Sequence, residues 1–367
     1  MNIAYRFRIY PTEEQKILLG KTFGCCRFLY NQMLNDKIQE YEKTKKMLKN
    51  TPAMYKREYP FLKEVDSLAL ANVQLHLEKA YKNFFRDPKI GFPKFKSKHH
   101  SRNSYTTNVV NGNILVESKR IRLPKLKWIA MKKHREPAKG LRLKSVTVSM
   151  EPSGKYFASL LYEGDSCENQ AAEPDYSTAK ILGIDYAMQG MAVFSEEIEM
   201  EEAGFFRKNE KRLVREQRKL SRCVRGSHNY ELQKKKVARC HEKIRNQRRD
   251  YLHKLSRKIV DSYDAVAVED IDMKAMGQCL HFGKSVHDNG YGMFREMLDY
   301  KLAWKGKKIV KVDRFFPSSK KCCQCGRIKK ELKLSERVYH CVCGNEMDRD
   351  RNAAINIREE ARRMLTA

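Results

Sequence analysis

Two pairs of cysteines near the end of the sequence limit its fold more than any other feature. The first pair lies in CCQCG (322–326) and the second in HCVCG (340–344), with fifteen residues between the pairs. A glycine follows each pair, which suits the tight turn of a zinc knuckle. Four thiolates at this spacing favour one closed, structural zinc ion, so we predict a zinc ribbon over residues 316–344. The predicted ligands are Cys322, Cys325, Cys341 and Cys343.

Two neighbouring residues leave another set of zinc ligands open. Cys323 follows Cys322 directly, and His340 precedes Cys343 by three positions, which is the usual ligand spacing. A site of three cysteines and His340 is therefore an alternative. A redox CxxC pair is less favoured, because two such pairs at ribbon spacing favour a metal.

The charge of the chain predicts a polyanionic partner. Lysine and arginine number 75 against 45 aspartates and glutamates, which gives a formal net charge of +30. A nucleic-acid backbone binds many such side chains at once and releases its counterions. A membrane surface is the competing partner, but the sequence has no concentrated basic amphipathic anchor. We therefore expect binding to nucleic acid and none to membranes.

The apolar pattern predicts a cytoplasmic protein. The sequence has no run of eighteen apolar residues, and the first fifteen residues lack the apolar segment of a signal peptide. In a reducing cytoplasm the eleven cysteines are expected to be free or bound to metal rather than paired in disulfide bonds.

Hydrophobic patterning divides the chain into successive domains. Short alternating stretches between Gly, Pro and Asn turns predict a small β-barrel over residues 1–10 and 90–163, with a helical insert over 11–89. The polar stretch 164–179 is predicted to be a linker. The remaining predicted segments are an α/β domain over 180–315 and 345–367, a helical hairpin within it over 205–260, and the zinc ribbon inserted at 316–344. The hairpin is predicted to break at RGSHN (225–229), and its second helix to carry an apolar stripe of Val237, Cys240, Ile244, Tyr251 and Leu255.

Three acidic residues lie at the ends of elements that should be buried. Asp185 follows the apolar run ILGI, Glu269 follows AVAV, and Asp350 precedes a predicted helix over residues 352–364. Burying an unpaired carboxylate is costly, so such groups are normally paired or bound to metal. The order of these elements matches an RNase H-like fold, in which the first strand, the fourth strand and the last helix bring their carboxylates to one face.

Phosphodiester cleavage supplies a reason for three carboxylates. Two cations, about 3.5–4 Å apart, activate the attacking water and stabilise the leaving oxygen. Mg²⁺ (or Mn²⁺) prefers oxygen ligands and keeps several waters, so a few carboxylates suffice to hold two ions. A single acid is more often a helix cap or an ion-pair partner, and this applies to Asp348 and Asp350 before the last helix. Three acids in this order favour a two-metal nuclease site.

Several motifs resemble those of the TnpB family, whose members are encoded by insertion sequences and are related to type V CRISPR effectors. The segments ILGID (181–185), AVEDI (267–271) and DRDRNAAINI (348–357) resemble the three RuvC motifs of that family. CCQCG and CVCG are similar to its zinc ribbon, and YRFRIYPTEEQ and FFPSSKKC match outside the active site. The resemblance covers nearly the whole chain, in order.

The resemblance implies an RNA-guided DNA endonuclease. The catalytic, Mg²⁺-binding acids of the family fall on Asp185, Glu269 and Asp350, and Asp348 has a supporting or capping role. The implied architecture is a RuvC nuclease domain with an inserted zinc ribbon, preceded by a wedge β-barrel that carries a helical recognition insert. A guide RNA from the 3′ end of the element would pair with double-stranded target DNA beside a short transposon-adjacent motif.

The family also implies partners and a location. A separate transposase of the same element would carry out transposition, and the protein would act at the nucleoid in a prokaryotic cytoplasm. The motif FGCCRFLYN (23–31) and the helix around 72–85 are the predicted recognition surface. The predicted nucleic-acid contacts are Arg27, Asn31, Asn72, Gln74 and Lys82.

One departure from the family and three alternatives bear on the function. GIDYAMQG replaces the GIDLG of many members, so residues 186–188 change the surroundings of the metals.

A CRISPR-associated miniature type V effector would share the chemistry but take its RNA from another source. A nuclease-inactive RNA-guided repressor is less favoured, because all three acids are present. A DNA-joining transposase is less favoured as well, since the family assigns transposition to a partner.

Overall fold

A computed structural model of the chain describes residues 2–138, 140–164, 174–187, 191–199, 204–272, 290–333 and 335–367. The chain divides into two compact units, Met1–Ser166 and Cys167–Ala367. We describe each unit by itself. None of the described helices is both long and apolar enough to cross a lipid bilayer.

The first unit is built on a seven-stranded antiparallel sheet with the strand order β2-β6-β7-β1-β5-β4-β3. Strand β1 lies at the centre of this sheet, so the first residues of the chain pair with two strands that come more than 100 residues later. The closure of this sheet into a barrel stays a prediction. Its strands are β1 (Asn2–Tyr10), β2 (Ser104–Asn108), β3 (Leu115–Val116), β4 (Arg120–Leu123), β5 (Lys127–Lys132), β6 (Arg142–Met150) and β7 (Tyr156–Glu163).

The helices of the first unit follow strand β1 directly, where the helical insert was predicted. They are α1 (Glu13–Thr44), α2 (Pro52–Glu58) and α3 (Ser67–Arg86), with 3₁₀ turns at Pro60–Glu64 and Pro88–Ile90. Helix α1 begins with a capping box, in which the Thr12 side chain accepts from the Gln15 N–H and the Gln15 side chain accepts from the Thr12 N–H. The Gln15 amide also donates to the carbonyls of Leu126 and Trp128, which fixes the start of α1 against strand β5.

A single apolar core fills the first unit. Leu19, Leu29 and Met33 from α1 and Leu70 and Leu77 from α3 are fully buried. They belong to one cluster with inward-facing strand residues from both halves of the sheet. The burial of this apolar surface is what holds the helices against the sheet.

The second unit is built on a four-stranded sheet with the order β11-β10-β8-β9. Strand β10 (Ala265–Glu269) pairs in parallel with both β8 (Ile181–Ala187) and β11 (Lys308–Val312), and β9 (Met191–Phe194) is antiparallel to β8. The first four residues of β8 and of β10 are all buried. Strands that read as continuous apolar runs are typical of a sheet covered on both faces.

Helices cover the two faces of this sheet. Helices α5 (His228–Ser262) and α6 (Tyr291–Trp304) share a core with one set of alternate strand residues. Helix α7 (Arg349–Thr366) contributes Ile357 to the core on the other face. Helix α4 (Phe205–Ser221) pairs with α5 through a small cluster of Leu213, Cys240 and Ile244.

The structure locates the break in the predicted hairpin and shows that one end of the predicted linker is folded. The break in the hairpin falls before His228, within the RGSHN segment where it was predicted, and Cys240, Ile244 and Leu255 of the predicted apolar stripe are buried. Of the predicted linker 164–179, residues 165–173 lie outside the described part of the chain. Tyr176 and Ala179 are buried in the core with α7, so this end of the segment is folded.

Candidate active site and metal centre

A glycine allows the last helix to lie directly on the strand that carries Asp185. A Cβ atom added at Gly183 would lie 2.0 Å from the Ala354 carbonyl oxygen and 2.9 Å from Cβ of Arg358. Only glycine permits this approach of α7 to β8. The Gly183 N–H donates to the Ser195 hydroxyl (3.0 Å), and the Gly183 carbonyl accepts from the Ser195 N–H (2.9 Å). Strand β8 is therefore held at Gly183 by its contact with α7 and by two hydrogen bonds to Ser195.

The parallel pairing of β8 and β10 brings two of the predicted acids side by side. Ile184 is the register partner of Val268, so Asp185 and Glu269 are the next residues along two neighbouring strands. Glu269 is the last residue of β10. Because the carboxyl ends of parallel strands meet at one edge of a sheet, both side chains belong to the same edge.

The third acid lies in the first turn of α7. Asp350 follows the N-cap residue Asp348, whose side chain accepts from the backbone N–H groups of Asp350 and Arg351, both at 2.9 Å. Asp348 is thus a helix cap. The Asp350 carboxylate is paired with Arg349 at 3.3 Å and lies 3.9 Å from Arg337.

The charges of Glu269 and Asp350 act on the Asp185 carboxyl. Burial raises the pKa of the Asp185 carboxyl to about 8, and the negative charges of Glu269 and Asp350 contribute to that rise. Burial also raises the pKa of Glu269. A neighbouring like charge disfavours ionisation, whereas a cation between the groups would favour it.

The donor set at this edge fits hard divalent cations. All three groups are carboxylates, the ligand type that Mg²⁺ prefers, and burial together with the charges of Glu269 and Asp350 raises the pKa of Asp185. The oxygen atoms of the three acids do not form a close group of ligand atoms in the structure. Among the described residues, the four cysteines form the one group of three or more ligand atoms with that closeness.

Two tyrosines adjoin the acids and set this site apart from the family pattern. Tyr186 follows Asp185 in β8, and its ring packs edge-on against Tyr291 of α6, with 5.0 Å between the ring centroids. Tyr291 is fully buried, and its hydroxyl has no hydrogen-bond partner among the described residues. Burial, and next the Asp185 charge, raise the pKa of Tyr291, so its hydroxyl stays protonated beside the carboxylates. Met188 of the departing segment lies outside the described residues.

The four predicted zinc ligands come together. Their sulfur atoms all lie within 4.8 Å of one another, with 3.6 Å between Cys322 and Cys343 and 3.6 Å between Cys325 and Cys341. A tetrahedral zinc ion with Zn–S bonds of about 2.3 Å requires sulfur atoms roughly 3.8 Å apart. The observed spacing therefore fits zinc.

The alternative ligand set is not supported. His340 lies on β12 (Val338–His340), is largely exposed, and its Nδ1 lies 3.5 Å from Glu346 of β13 (Glu346–Asp348). Cys323 turns its sulfur towards Met347 and the Asn345 amide. Neither residue belongs to the group of four thiols.

The thiol of Cys322 is prepared for metal binding. Burial acts to raise its pKa, but backbone N–H groups of Cys325 and Gln324 and the Asn345 amide donate to the sulfur. The balance lowers the pKa of Cys322 to about 6. A thiolate is the form that binds zinc.

Two asparagines of α7, which the sequence analysis overlooked, join the metal centre to the acid site. Asn352 accepts from the Cys323 N–H (3.0 Å) and donates to the Lys321 carbonyl (2.7 Å). Asn356 donates to the carbonyls of Ser318 (2.8 Å) and Lys321 (2.6 Å). Both are buried, and asparagine is a poor residue for a helix interior. Their spacing of four residues on one face was the available signal.

The five predicted nucleic-acid contacts have different surroundings. Arg27 and Asn72 line a cavity of about 330 Å³ between α1, α3 and β2, together with His76, Lys96 and Arg102. The Asn31 amide is bonded to the backbone of Lys96 through both of its polar atoms, at 2.7 and 2.9 Å, so it positions that lysine. Gln74 donates to Glu78. Lys82 is exposed on α3.

The positive charge of the chain is concentrated rather than evenly spread. Residues 205–262, which contain helices α4 and α5, carry 20 lysines and arginines and 6 acidic residues, a net charge of +14. Nearly half of the net charge of +30 thus lies on one helical hairpin. The outer side of α4 is lined by six cations and one glutamate: Arg207, Glu210, Lys211, Arg215, Arg218, Lys219 and Arg222.

Three family models match separate parts of the chain. Residues 160–279 match a model described as "Probable transposase" of the IS605 OrfB type, and residues 291–357 match the "Cas12f1-like, TNB domain". Residues 1–46 match an IS605 OrfB model described as a helix-turn-helix domain. In the structure those residues form strand β1 and the single long helix α1.

Individual proteins match over nearly the full length. A protein of Streptomyces pristinaespiralis named "Putative RNA-guided DNA endonuclease" is 33% identical, with 96% of this chain and 88% of that protein covered. Its counterpart InsQ of Escherichia coli K12, which carries the same designation, is 31% identical, with coverage of 96% and 91%. Among solved structures, the Cas12f1–sgRNA–target DNA complex aligns with a TM-score of 0.59 at 13% identity and covers 98% of both chains, which shows a shared fold.

Proposed function

Because this chain belongs to the TnpB family, we propose that it is an RNA-guided DNA endonuclease whose active site is formed by Asp185, Glu269 and Asp350. The family membership rests on relatives that are more than 30% identical over most of both chains. The assignment of the three acids is supported by the register of β8 and β10 and by the pKa of Asp185, which burial and the charges of Glu269 and Asp350 raise.

The three carboxylates would hold two Mg²⁺ (or Mn²⁺) ions. When bound, these ions activate the attacking water and stabilise the leaving oxygen of the phosphodiester. Asp185 and Glu269 present their carboxylates from neighbouring strands, and Asp350 closes the site from α7. Asp348 holds the first turn of α7 in place, and Arg349 limits the free rotation of the Asp350 carboxylate.

The proposed architecture follows the domain boundaries of the sequence analysis. Residues 180–315 and 345–367 form an RNase H-like RuvC domain, and residues 316–344 form a zinc ribbon inserted before its last helix. In the first unit, residues 1–10 and 90–163 form the wedge domain and residues 11–89 the recognition insert. Support comes from the sheet order β11-β10-β8-β9, the final helix on β8, and the four thiols.

We further propose a guide RNA from the 3′ end of the encoding element and a double-stranded DNA target beside a short adjacent motif. Delegating sequence recognition to base pairing needs a positively charged channel for the heteroduplex rather than a base-reading motif. The hairpin with its net charge of +14 and the cavity at Arg27 and Asn72 supply such surfaces. A separate transposase of the same element would move the DNA.

The observation that carries the proposal is the parallel register of β8 and β10, which places Asp185 and Glu269 on neighbouring strands at one sheet edge, with Asp350 near enough for its charge to act on Asp185. We would load the purified chain with guide RNA and measure single-turnover cleavage of a matched duplex for Asp185→Ala, Glu269→Gln and Asp350→Ala. Each change should lower the rate by roughly a hundredfold or more, because it removes a metal ligand. Binding of RNA and of target DNA should stay intact.

A matched control separates a local charge effect from a catalytic one. Asp261 is an exposed carboxylate of the same unit that pairs with Arg257 and Lys305, so Asp261→Asn should leave the cleavage rate unchanged. Normal cleavage by any of the three acid variants would contradict the assigned site. Cleavage that needs no guide RNA would contradict the proposed mode of recognition.

A further inference from the structure

Four aromatic residues at the end of α3 form an exposed cluster that the proposed function leaves without a role. We call Tyr81, Phe84, Phe85 and Phe92 the aromatic platform. Ring centroids lie 6.2 Å apart for Tyr81 and Phe85, and 5.6 Å apart for Tyr81 and Phe92. Phe84 joins both phenylalanines at 5.4 and 5.5 Å. The four rings therefore form one continuous surface.

Two phenylalanine rings of the platform are exposed to solvent. Phe85 keeps 66% of its surface in contact with solvent and Phe92 keeps 44%, whereas Tyr81 is buried and anchors the cluster to the core. An exposed group of contiguous aromatic rings with a rigid base marks an interaction site. The rings lie at the junction of α3 with the 3₁₀ turn Pro88–Ile90, so regular structure holds them from both sides.

The charges around the platform are almost all positive. Residues 79–98 contain seven lysines and arginines and one acidic residue, Asp87. The Asp87 carboxylate already accepts a hydrogen bond from the Lys89 N–H, at 3.0 Å. Lys82, Arg86, Lys89 and Lys94 are exposed beside the rings. A polyanion is therefore the partner that this rim attracts.

A second aromatic cluster in the same unit serves as a comparison. Phe28, Tyr59 and Phe61 pack together with centroid distances of 4.8 to 6.0 Å, and Phe61 is 42% exposed. Residues 55–66 around it carry three basic and three acidic residues. Both clusters expose a phenylalanine ring, but only the platform has a strongly positive surround.

We propose that the aromatic platform stacks unpaired bases of a nucleic-acid strand whose phosphates the surrounding cations contact. This inference deepens the proposed function, since it rests on the chain acting on nucleic acid. Aromatic faces set in a positive surface bind single strands without regard to sequence, because every base has a face that stacks. A duplex keeps its bases stacked inside, so the platform selects unpaired segments, whether DNA or RNA.

The test separates base stacking from charge. We would wash the full-length chain free of nucleic acid in high salt and measure its binding of 12-nucleotide strands in buffer without Mg²⁺. The strands are oligothymidine, oligouridine and an abasic strand of equal length. Phe85→Ala should weaken binding of the base-bearing strands by about five- to a hundredfold and leave abasic binding unchanged, since only stacking is lost. Phe85→Trp should restore binding.

Two further variants complete the design. Lys82→Gln should weaken all strands equally and lower the slope of binding against salt by about 0.7, because it removes a phosphate contact. Phe61→Ala, the matched control, should change nothing. Thermal melting of each variant checks that it is folded. The substituted side chains are exposed, so each variant should melt at about the wild-type temperature. Preference for oligouridine over oligothymidine would assign the platform to RNA, and the reverse preference to DNA.

Three results would overturn the inference. One is unchanged binding of base-bearing strands by Phe85→Ala, and another is an equal loss with Phe61→Ala. The third is a dimeric wild-type chain that Phe85→Ala makes monomeric with strand binding intact, which would make the platform a contact between two copies. None of these measurements depends on cleavage. A failed stacking test therefore leaves the nuclease proposal untouched, and inactive acid variants leave the stacking proposal untouched.

Discussion

Replacing Gly183 by alanine should separate the last helix from the catalytic strand. The added Cβ would lie 2.0 Å from the Ala354 carbonyl oxygen and 2.9 Å from the Arg358 backbone nitrogen. Neither atom belongs to the flexible end of a side chain, so the contact is relieved only by movement of α7 or β8. To reach the 3.4 Å at which ordinary contact begins, the helix must withdraw by about 1.4 Å.

The size of that movement sets the expected losses. Overpacking a tight core costs typically about 1–3 kcal/mol, and here a strand and a helix must both give way, so we expect at least about 3 kcal/mol of lost unfolding free energy. Asp350 moves with α7 away from Asp185. A misplacement of about 1 Å costs roughly a hundredfold in rate, so cleavage should fall even in protein that is fully folded.

Two assays on the same preparation measure the two effects. Urea unfolding followed by circular dichroism gives the stability, and single-turnover cleavage at low temperature gives the rate of folded protein. Gly20→Ala is the matched control. It lies within helix α1, nothing lies within 4 Å of its added Cβ, and alanine should stabilise the helix by about 0.5–1 kcal/mol.

A Gly183→Ala chain that unfolds at the wild-type urea concentration and cuts at the wild-type rate would contradict both expectations. That outcome would mean that the helix does not rest on the strand at Gly183. A loss of stability without any loss of rate would show that Asp350 does not depend on this contact for its position.

Other predictions concern the metal centre and pH. Cys325→Ser should remove zinc from the purified protein, as measured by metal analysis. It should also lower the free energy of unfolding by several kcal/mol, because structural zinc contributes folding energy directly. The control Cys223→Ser should change neither quantity. Burial lowers the pKa of Lys301 to about 8, below about 10.4 in the unfolded chain. The unfolded state thus binds more protons between these values, and the unfolding free energy should rise with pH there. Lys301→Met should remove that rise in urea titrations, and an unchanged slope would contradict it.

The elements that could be predicted are those whose burial produces a regular pattern of apolar residues in the sequence. The apolar runs before Asp185 and Glu269 became the paired strands β8 and β10, and the stripe around Cys240 became one face of α5. The four cysteines were predicted from spacing alone, because ligand geometry restricts the chain between them, and their grouping is confirmed. The catalytic roles of the three acids stay predictions.

Features that depend on contacts between distant segments were not predictable. The spacing of Asn352 and Asn356 marks one face of a helix, but their partners appear only when the cysteine turn lies against α7. Gly183 was one small residue in an apolar run, and its importance comes from a helix 170 residues later. The total charge indicated a polyanion but not where it binds, because composition holds no information on distribution.

The asparagine contacts of α7 determine which parts of the C-terminal sequence can change in length. One residue added between Asp350 and Asn352 would rotate both asparagines by about 100° around the helix axis, away from the cysteine turn that they hold. The spacing between the acid and the asparagines is therefore fixed. The chain between the two cysteine pairs carries neither of these two asparagines and none of the three proposed catalytic acids, so insertions there would leave the helix in register. An engineer who wishes to attach a peptide or a second domain to this unit should open the chain in that stretch.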